Sequence, residues 1–504
     1  MDDTDTRLHQ CKLQWNINEI DKMKKPGILF ALLTIILIIV LLSSCIAIFG
    51  EEATEGPIQM ALIIAAVITA VAGMAFLKTP WKYFEDCISQ NFKDTAPVIL
   101  LLMMIGALTA TWMLSGVVPA MIFYGLKIIS PKIFIVMSFV LCSIISMLSG
   151  SSWTTVGTIG VALFGASNII GMPTGWMAGA IISGAYFGDM ISPVSDIVNM
   201  ASNIAGTDLY KHIKFAVITA IPTCLVCLVV FTIVGFTVDT PSSLELGDQL
   251  NQISSTFNIS PWLMLIPVFT FILVIKKVPA TLTLFFSAVV AGIVACLAQP
   301  QLVGQIIGDS EGFKGVFQGL LKMMSSPVSI ETGYPMLDSL VCTNGVSGIV
   351  NTIWLLMCIM IMSGVLTACG AIDIITNAML KFAKNTASLV GTTALSCVFC
   401  NIVLSDQFVS ILVPANMFKS AYRRKGLAPE MLSRTLCDVG AVTSVLVPWN
   451  TCAVVQSSVL GVATLAYLPY CTFCLVSPLM TILIAALNFK IRHVDPETGI
   501  PVEA

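Results

Sequence analysis

Long apolar stretches broken by short polar ones run along nearly the whole chain. Segments free of Asp, Glu, Lys and Arg extend from Pro26 to Gly50, Gly56 to Leu77, Thr95 to Leu126, Ile133 to Gly188, Phe215 to Val238, Gln249 to Ile275, Val278 to Gly308, Ser339 to Ile372, Asn385 to Ser405 and Val439 to Phe489. A membrane-spanning helix needs about 20 apolar residues. Most of these segments hold one crossing, and the two longest, Ile133 to Gly188 and Val439 to Phe489, hold more. The pattern predicts an all-α polytopic membrane protein with about 12–14 crossings.

Composition narrows the class. Of 504 residues, 57% are hydrophobic and 11% charged, against about 25% charged in a soluble domain. Mean hydropathy is +0.93. A soluble enzyme and a disordered chain are both excluded. No HExxH, GxSxG or GxxxxGK[ST] pattern supports a membrane-embedded enzyme. The net charge of -3 gives no sign of nucleic-acid binding. Sixteen cysteines include three CxxC pairs, Cys224/Cys227, Cys397/Cys400 and Cys471/Cys474, with only three histidines in the chain. They read as small apolar packing residues rather than a zinc site. No cofactor is expected.

Charge between the spans orients them. Residues 1–25 carry Arg7, Lys12, Lys22, Lys24 and Lys25 and lead into a run too long for a signal-peptide core. Lys78, Lys82, Lys93, Lys211, Lys214, Lys276, Lys277, Lys381, Lys384, Arg423, Arg424, Lys425, Lys490 and Arg492 mark the cytoplasmic side. Glu51, Glu52, Glu55, Asp239, Glu245 and Asp248 mark the other. Lys127 and Lys132 are exceptions. The predicted organisation is a cytoplasmic tail (1–25), a first transmembrane repeat (26–238), an extracytoplasmic connecting loop (239–259), a second repeat (260–489) and a cytoplasmic tail (490–504).

The halves echo each other weakly. Gly116 matches Gly370, Lys127 matches Lys381, Leu148–Ser149 matches Leu404–Ser405, and Pro193 matches Pro448, all at separations near 255. The loops give an odd number of crossings per half, about seven, so the second half is expected upside down. Residues 133–236 and 386–489 should then superpose by a half-turn about an axis in the membrane plane. Such inverted-repeat transporters bind ions at helices broken in mid-membrane.

Breaks show as Gly, Pro, Ser, Thr and Asn inside apolar runs. Ser149 to Gly160 reads SGSSWTTVGTIG, and Gly184 to Ala201 reads GAYFGDMISPVSDIVNMA. The candidate cation and proton ligands of the first half are Ser151, Ser152, Thr155, Asp189, Ser192, Ser195, Asp196 and Asn199. In the second half, LSDQ contributes Asp406, and DVGAVTSVLVPWNT contributes Asn450 and Thr451. An ionisable group within a span is costly and marks an ion path. Carboxylate, hydroxyl and amide oxygens suit a hard cation such as Na⁺. Asp196, three residues after the break at Pro193, is the leading candidate.

The chain resembles the sodium/proton antiporters of the NhaC type, which look related to sodium-linked malate/lactate exchangers. The resemblance rests on GSSW (Gly150 to Trp153), YFGD ending at Asp189, SPxSD (Ser192 to Asp196), AGTDL (Ala205 to Leu209), ETG (Glu331 to Gly333), LDSL (Leu337 to Leu340), LSRTL (Leu432 to Leu436) and VPWNTC (Val447 to Cys452). It implies a secondary transporter of a bacterial inner membrane that exchanges Na⁺ for H⁺ by alternating access. Its partners would be membrane lipids and the two ions, and a homodimer is compatible with it. The chain departs from the family pattern at Met190, Ile197, Val198, Thr343, Asn344 and Cys437, where ligand-type or charged residues are usual. These departures keep open a sodium-coupled exchanger of a small organic acid or amino acid.

Overall fold

Lipid offers no partners to backbone N–H and C=O groups, so a chain this apolar satisfies them within helices. The computed structural model describes residues 23–128, 130–238, 243–308, 312–330, 332, 334, 338, 341–495 and 501–502. Most of the N-terminal tail, part of the connecting loop and parts of the ETG and LDSL motifs lie outside the described residues.

The first half comprises α1 (Ile28–Phe49), α2 (Pro57–Ala72), α3 (Trp81–Leu114), α4 (Val117–Ile128), α5 (Pro131–Ser149), α6 (Ser152–Ile170), α7 (Thr174–Met190), α8 (Asp196–Ala205) and α9 (Leu209–Thr237). Between the halves lies α10 (Ser243–Thr256). The second half comprises α11 (Pro261–Ile275), α12 (Ala280–Ala298), α13 (Pro300–Ile307), α14 (Gly312–Ser325), α15 (Gly345–Cys369), α16 (Ala371–Leu380), α17 (Thr386–Val403), α18 (Gln407–Arg424), α19 (Pro429–Leu446), α20 (Thr451–Leu460), α21 (Thr464–Tyr470) and α22 (Thr472–Ala486). Two short strands, β1 (His493–Val494) and β2 (Pro501–Val502), pair antiparallel after the last helix. Among the described residues, nine helices are long and apolar enough to span a membrane. The number reaches twelve if each of three bent pairs counts as one span.

The weak sequence repeat is a strong structural one, in a register of 255. Helices α5 and α17 begin at Pro131 and Thr386. Each ends at a left-handed residue, Gly150 (φ 66°) and Ser405 (φ 58°). The next residues, Ser151 and Asp406, cap α6 and α18. Further on, Ser195 and Asn450 cap α8 and α20, and left-handed Gly206 and Gly461 end them. Side chains obey the same register: Ser146 Oγ donates to Ala185 O at 2.5 Å, and Asn401 Nδ2 donates to Gly440 O at 2.8 Å. Of the sequence matches, Pro193–Pro448 lies in this register, while Gly116–Gly370 and Lys127–Lys381, at 254, and Leu148–Ser149 with Leu404–Ser405, at 256, fall one residue outside it.

The second copy is inverted. Asn91 Nδ2 donates to Met360 O at 3.2 Å. At the other end of α3, a Cβ on Gly106 would lie 2.8 Å from Gly345 O. Helices α3 and α15 therefore run antiparallel, yet they occupy the same place in their halves. A rotation that exchanges antiparallel helices has its axis across them, in the membrane plane. Ahead of the hairpins the register changes: α2 packs on α15 as α12 packs on α3. The α1–α2 loop carries Glu52 and Glu55, whereas the α11–α12 loop carries Lys276 and Lys277. The charges thus reverse with the topology. Helices α5–α6 and α17–α18 form two repeat-related hairpins, and both tips reach one cavity.

Candidate functional site

Each half positions its site with two interruptions, a hairpin tip and a broken helix. Asp196 follows Asp189 by seven residues, but the two do not share a helix face, because residues 191–195 break the helix between α7 and α8. Gly150 makes the tip fit against this break, since a Cβ there would lie 2.6 Å from the backbone carbon of Val194. Ser192 Oγ clamps the break to Met147 O at 2.8 Å. In the second half Trp449 Nε1 does the same to Ile402 O at 2.7 Å, 255 residues after Met147.

Asp189 is the deepest carboxylate of the first site, 7% exposed. Its Oδ2 accepts the Ser152 N–H at 3.1 Å, and the Ser152 and Ser195 hydroxyls face the same carboxylate. Its Oδ1 has no hydrogen-bond partner. Ser151 Oγ accepts from Thr154 N–H and Oγ–H at 3.2 and 3.0 Å. Thr155 shares a 3.2 Å contact with Ser149. Asp196 stands exposed in the first turn of α8, and half-buried Asn199 spends its amide on Pro193 O and Ser195 O. Met190, Ile197 and Val198 are buried packing residues.

The second site is more fully paired. Asp406 Oδ1 accepts the Phe408 and Val409 N–H groups at 2.9 and 3.0 Å, and Oδ2 faces the Thr451 hydroxyl at 3.4 Å. Asn450 Oδ1 accepts the Cys452 N–H at 3.1 Å, and its Nδ2 reaches Asn401. Gln407 Oε1 accepts from the Cys452 thiol.

A cavity of about 1060 Å³ joins the two sites. It is lined by Asp94, Asp189, Asp196 and Asp406, with Lys277 as a basic lining residue. A smaller cavity of about 440 Å³ lies between Ile105, Gly345, Ile349 and Ser458. The half-turn that relates the repeats carries part of one lining onto part of the other: Cys87, Gln90, Asp94 and Met360 map to Cys342, Gly345, Ile349 and Ile105. The two cavities thus flank related stretches of α3 and α15, the wider one beside Lys277.

Asp438, which opens the DVGAVTSVLVPWNT segment, is an ionisable candidate from sequence, but its pairing with Arg434 is not apparent there. Arg434 and Asp438 are both 0% exposed. Their signal was the i,i+4 spacing of opposite charges on one helix, hidden because the charges end an apolar run rather than interrupt it. Among the described residues no cluster of His, Cys, Asp or Glu has the composition of a metal site.

Comparison with known proteins agrees with this geometry. The pattern of the Na⁺/H⁺ antiporter family matches residues 184–489, which contain both broken helices. The chain is 33% identical to the Na(+)/H(+) antiporter NhaC of Alkalihalophilus pseudofirmus, over 85% of this chain and 90% of that one. It is 30% identical to the malate-2H(+)/Na(+)-lactate antiporter of Bacillus subtilis, over 82% and 86%. It is 29% identical to the arginine/ornithine antiporter ArcD of Halobacterium salinarum, over 95% and 96%. With its broken helices inside the matched region and its relatives aligned along most of their length, this multi-pass membrane protein belongs to the Na⁺/H⁺ antiporter family.

Proposed function

We propose that the chain exchanges Na⁺ for H⁺ across a cell membrane by alternating access. The observation that carries this is Asp189: a buried carboxylate with one unpaired oxygen, held where the first hairpin tip meets the first broken helix. A small monovalent cation there meets one formal charge and the hydroxyls of Ser152 and Ser195. Ser151, Thr155, Ser192 and Asn199 shape the surrounding turns. Asp406, Asn450 and Thr451 build the related place in the second half. Hard oxygen donors of this kind suit Na⁺. Two unequal cavities beside related stretches of α3 and α15 support the alternating part. With Lys276, Lys277 and both termini on the cytoplasmic side, this is the inward-open form. The outward form would arise by moving the hairpins and broken helices against the remaining helices of repeats 26–238 and 260–489.

A second reading is a sodium-coupled exchanger of a small organic acid or amino acid. The cavity of about 1060 Å³ favours it, being of the size that holds small organic ligands. Purified protein in liposomes decides between them. Under the main reading, an imposed Na⁺ gradient drives proton movement with no organic solute present. A requirement for malate, lactate or an amino acid would replace it by the second.

A further inference from the structure

Resting on the exchange reading, we infer that the proton binds at Asp438, in a buried polar cluster separate from the cation site at Asp189. The cluster is absent from the cavity lining. It lies between α9, α19 and α22. Asp438 sits in a π-helical turn, Leu436–Ala441, and π-turns recur at functional sites. Its Oδ2 accepts from the Thr481 hydroxyl, and its Oδ1 has no partner. Arg434 Nε lies 3.9 Å from Oδ2. None of the three guanidinium nitrogens makes a hydrogen bond. A bidentate pair would lock the carboxylate in its charged form; this single long contact leaves Oδ1 free to take a proton. The face of Phe215, 4.6 Å from the guanidinium carbon, holds Arg434 whether or not Asp438 is charged.

Polar groups extend from the cluster along α19 towards the surface. Glu430, Arg434 and Asp438 recur every fourth residue along α19. Glu430 meets Thr207 at 3.4 Å and the exposed Arg492 at 3.4 Å. Between them His212 Nδ1 pairs with Ser433 Oγ at 2.8 Å, and its Nε2 has no partner. The other titratable groups facing the cluster are Tyr422 from α18, Cys397 from α17 and Cys437 beside Asp438. Cys437 lies within the electrostatic influence of both Asp438 and Asp189.

Symmetry shows that the fold does not require these charges. The residues 255 positions from Arg434, Asp438 and His212 are Gly179, Ser183 and Tyr467. Gly179 lies against the Tyr470 backbone, and Ser183 Oγ accepts the Phe473 N–H. The same packing problem is solved there without a charge. Burying an arginine and an aspartate in one half only is costly, and a proton-carrying role accounts for that asymmetry.

The test compares two fluxes in proteoliposomes, Na⁺-driven proton movement and Na⁺/Na⁺ exchange measured with ²²Na⁺. Wild type should perform both; if it moves no protons, the exchange reading itself fails. Asp438→Asn should keep Na⁺/Na⁺ exchange within about twofold while proton movement falls at least tenfold. Asp189→Asn should lose both. Proton movement by Asp438→Asn at the wild-type rate and with the wild-type pH profile would overturn the inference. So would joint loss of both fluxes in a monodisperse variant. Should Asp438→Asn fail to fold, Glu430→Gln decides: slowed proton movement with normal Na⁺/Na⁺ exchange supports the path, and unchanged proton movement overturns it.

Discussion

Asp189, Asp196 and Asp208 lie within twenty residues of one another, and only their surroundings set them apart. Asp208 caps α9, accepting the Tyr210 and Lys211 N–H groups at 3.0 and 3.1 Å on an exposed turn. Asp196 is exposed beside the cavity, and Asp189 is buried with a free oxygen. Replacing Asp189 by Asn should abolish Na⁺-dependent transport while the protein still inserts, since a buried carboxylate is more often functional than structural in a membrane. Asp208→Asn should transport normally, because Asn caps a helix about as well as Asp. Asp196→Asn should raise the apparent KM for Na⁺ a few-fold, and more at low ionic strength, because an exposed charge acts through screened attraction. Flux assays on the three variants check this ranking; a dead Asp196→Asn beside an active Asp189→Asn would reverse it. The SPxSD and YFGD motifs made both aspartates candidates. Their order was illegible because the oxygen that matters is freed by how α6 meets α7, not by the neighbours of either residue.

Elements meet here through small residues. Gly184 and Gly188 of α7 face α5, and a Cβ on either would collide with the carbonyl of Phe139 or Ser143. This four-residue glycine spacing is the close-contact device of membrane helices. Gly188→Val should push α7 off α5, move Asp189 away from Ser152, and destabilise the protein by about 1–3 kcal/mol. Thermal unfolding in detergent together with flux measures both effects; an unchanged melting temperature would mean that the helices relax freely. The cysteine pair on α17 should behave differently. Cys397 and Cys400 are fully buried against neighbouring helices, so changing both to Ala costs packing, about 1–2 kcal/mol. Transport should persist with or without added zinc. Loss of activity restored by metal would contradict a packing role.

Across the whole molecule the antiparallel meeting of α3 and α15 is the decisive feature. Asn91 touches Met360 near one face, and Gly106 meets Gly345 towards the other. In a cysteine-free background, Asn91→Cys with Met360→Cys should cross-link readily under mild oxidation. Asn91→Cys with Val346→Cys should not, although position 346 is the repeat partner of 91. The opposite result would mean that the repeats are parallel, with their axis along the membrane normal. The faint sequence echo near 255 made a repeat legible, and the odd number of crossings per half, counted from the loop charges, pointed to inversion. The hairpins did not show in the apolar runs, because two helices joined by a turn of two or three residues leave no loop long enough to separate them.

Local physics wrote the class, the spans and the places where helices break into the sequence itself. A bilayer demands long uncharged helices, and a helix can stop inside one only where Gly, Pro or a capping Ser, Asp or Asn permits it, as at Gly150, Pro193, Asp406 and Asn450. The tertiary structure alone decided which carboxylate keeps an unpaired oxygen, that two unequal cavities flank related stretches of α3 and α15, and that Arg434 meets Asp438 beside His212. Those properties depend on contacts between residues far apart in sequence, such as Asn91 with Met360 and His212 with Ser433. No local pattern encodes them, because burial and pairing belong to the assembled helices.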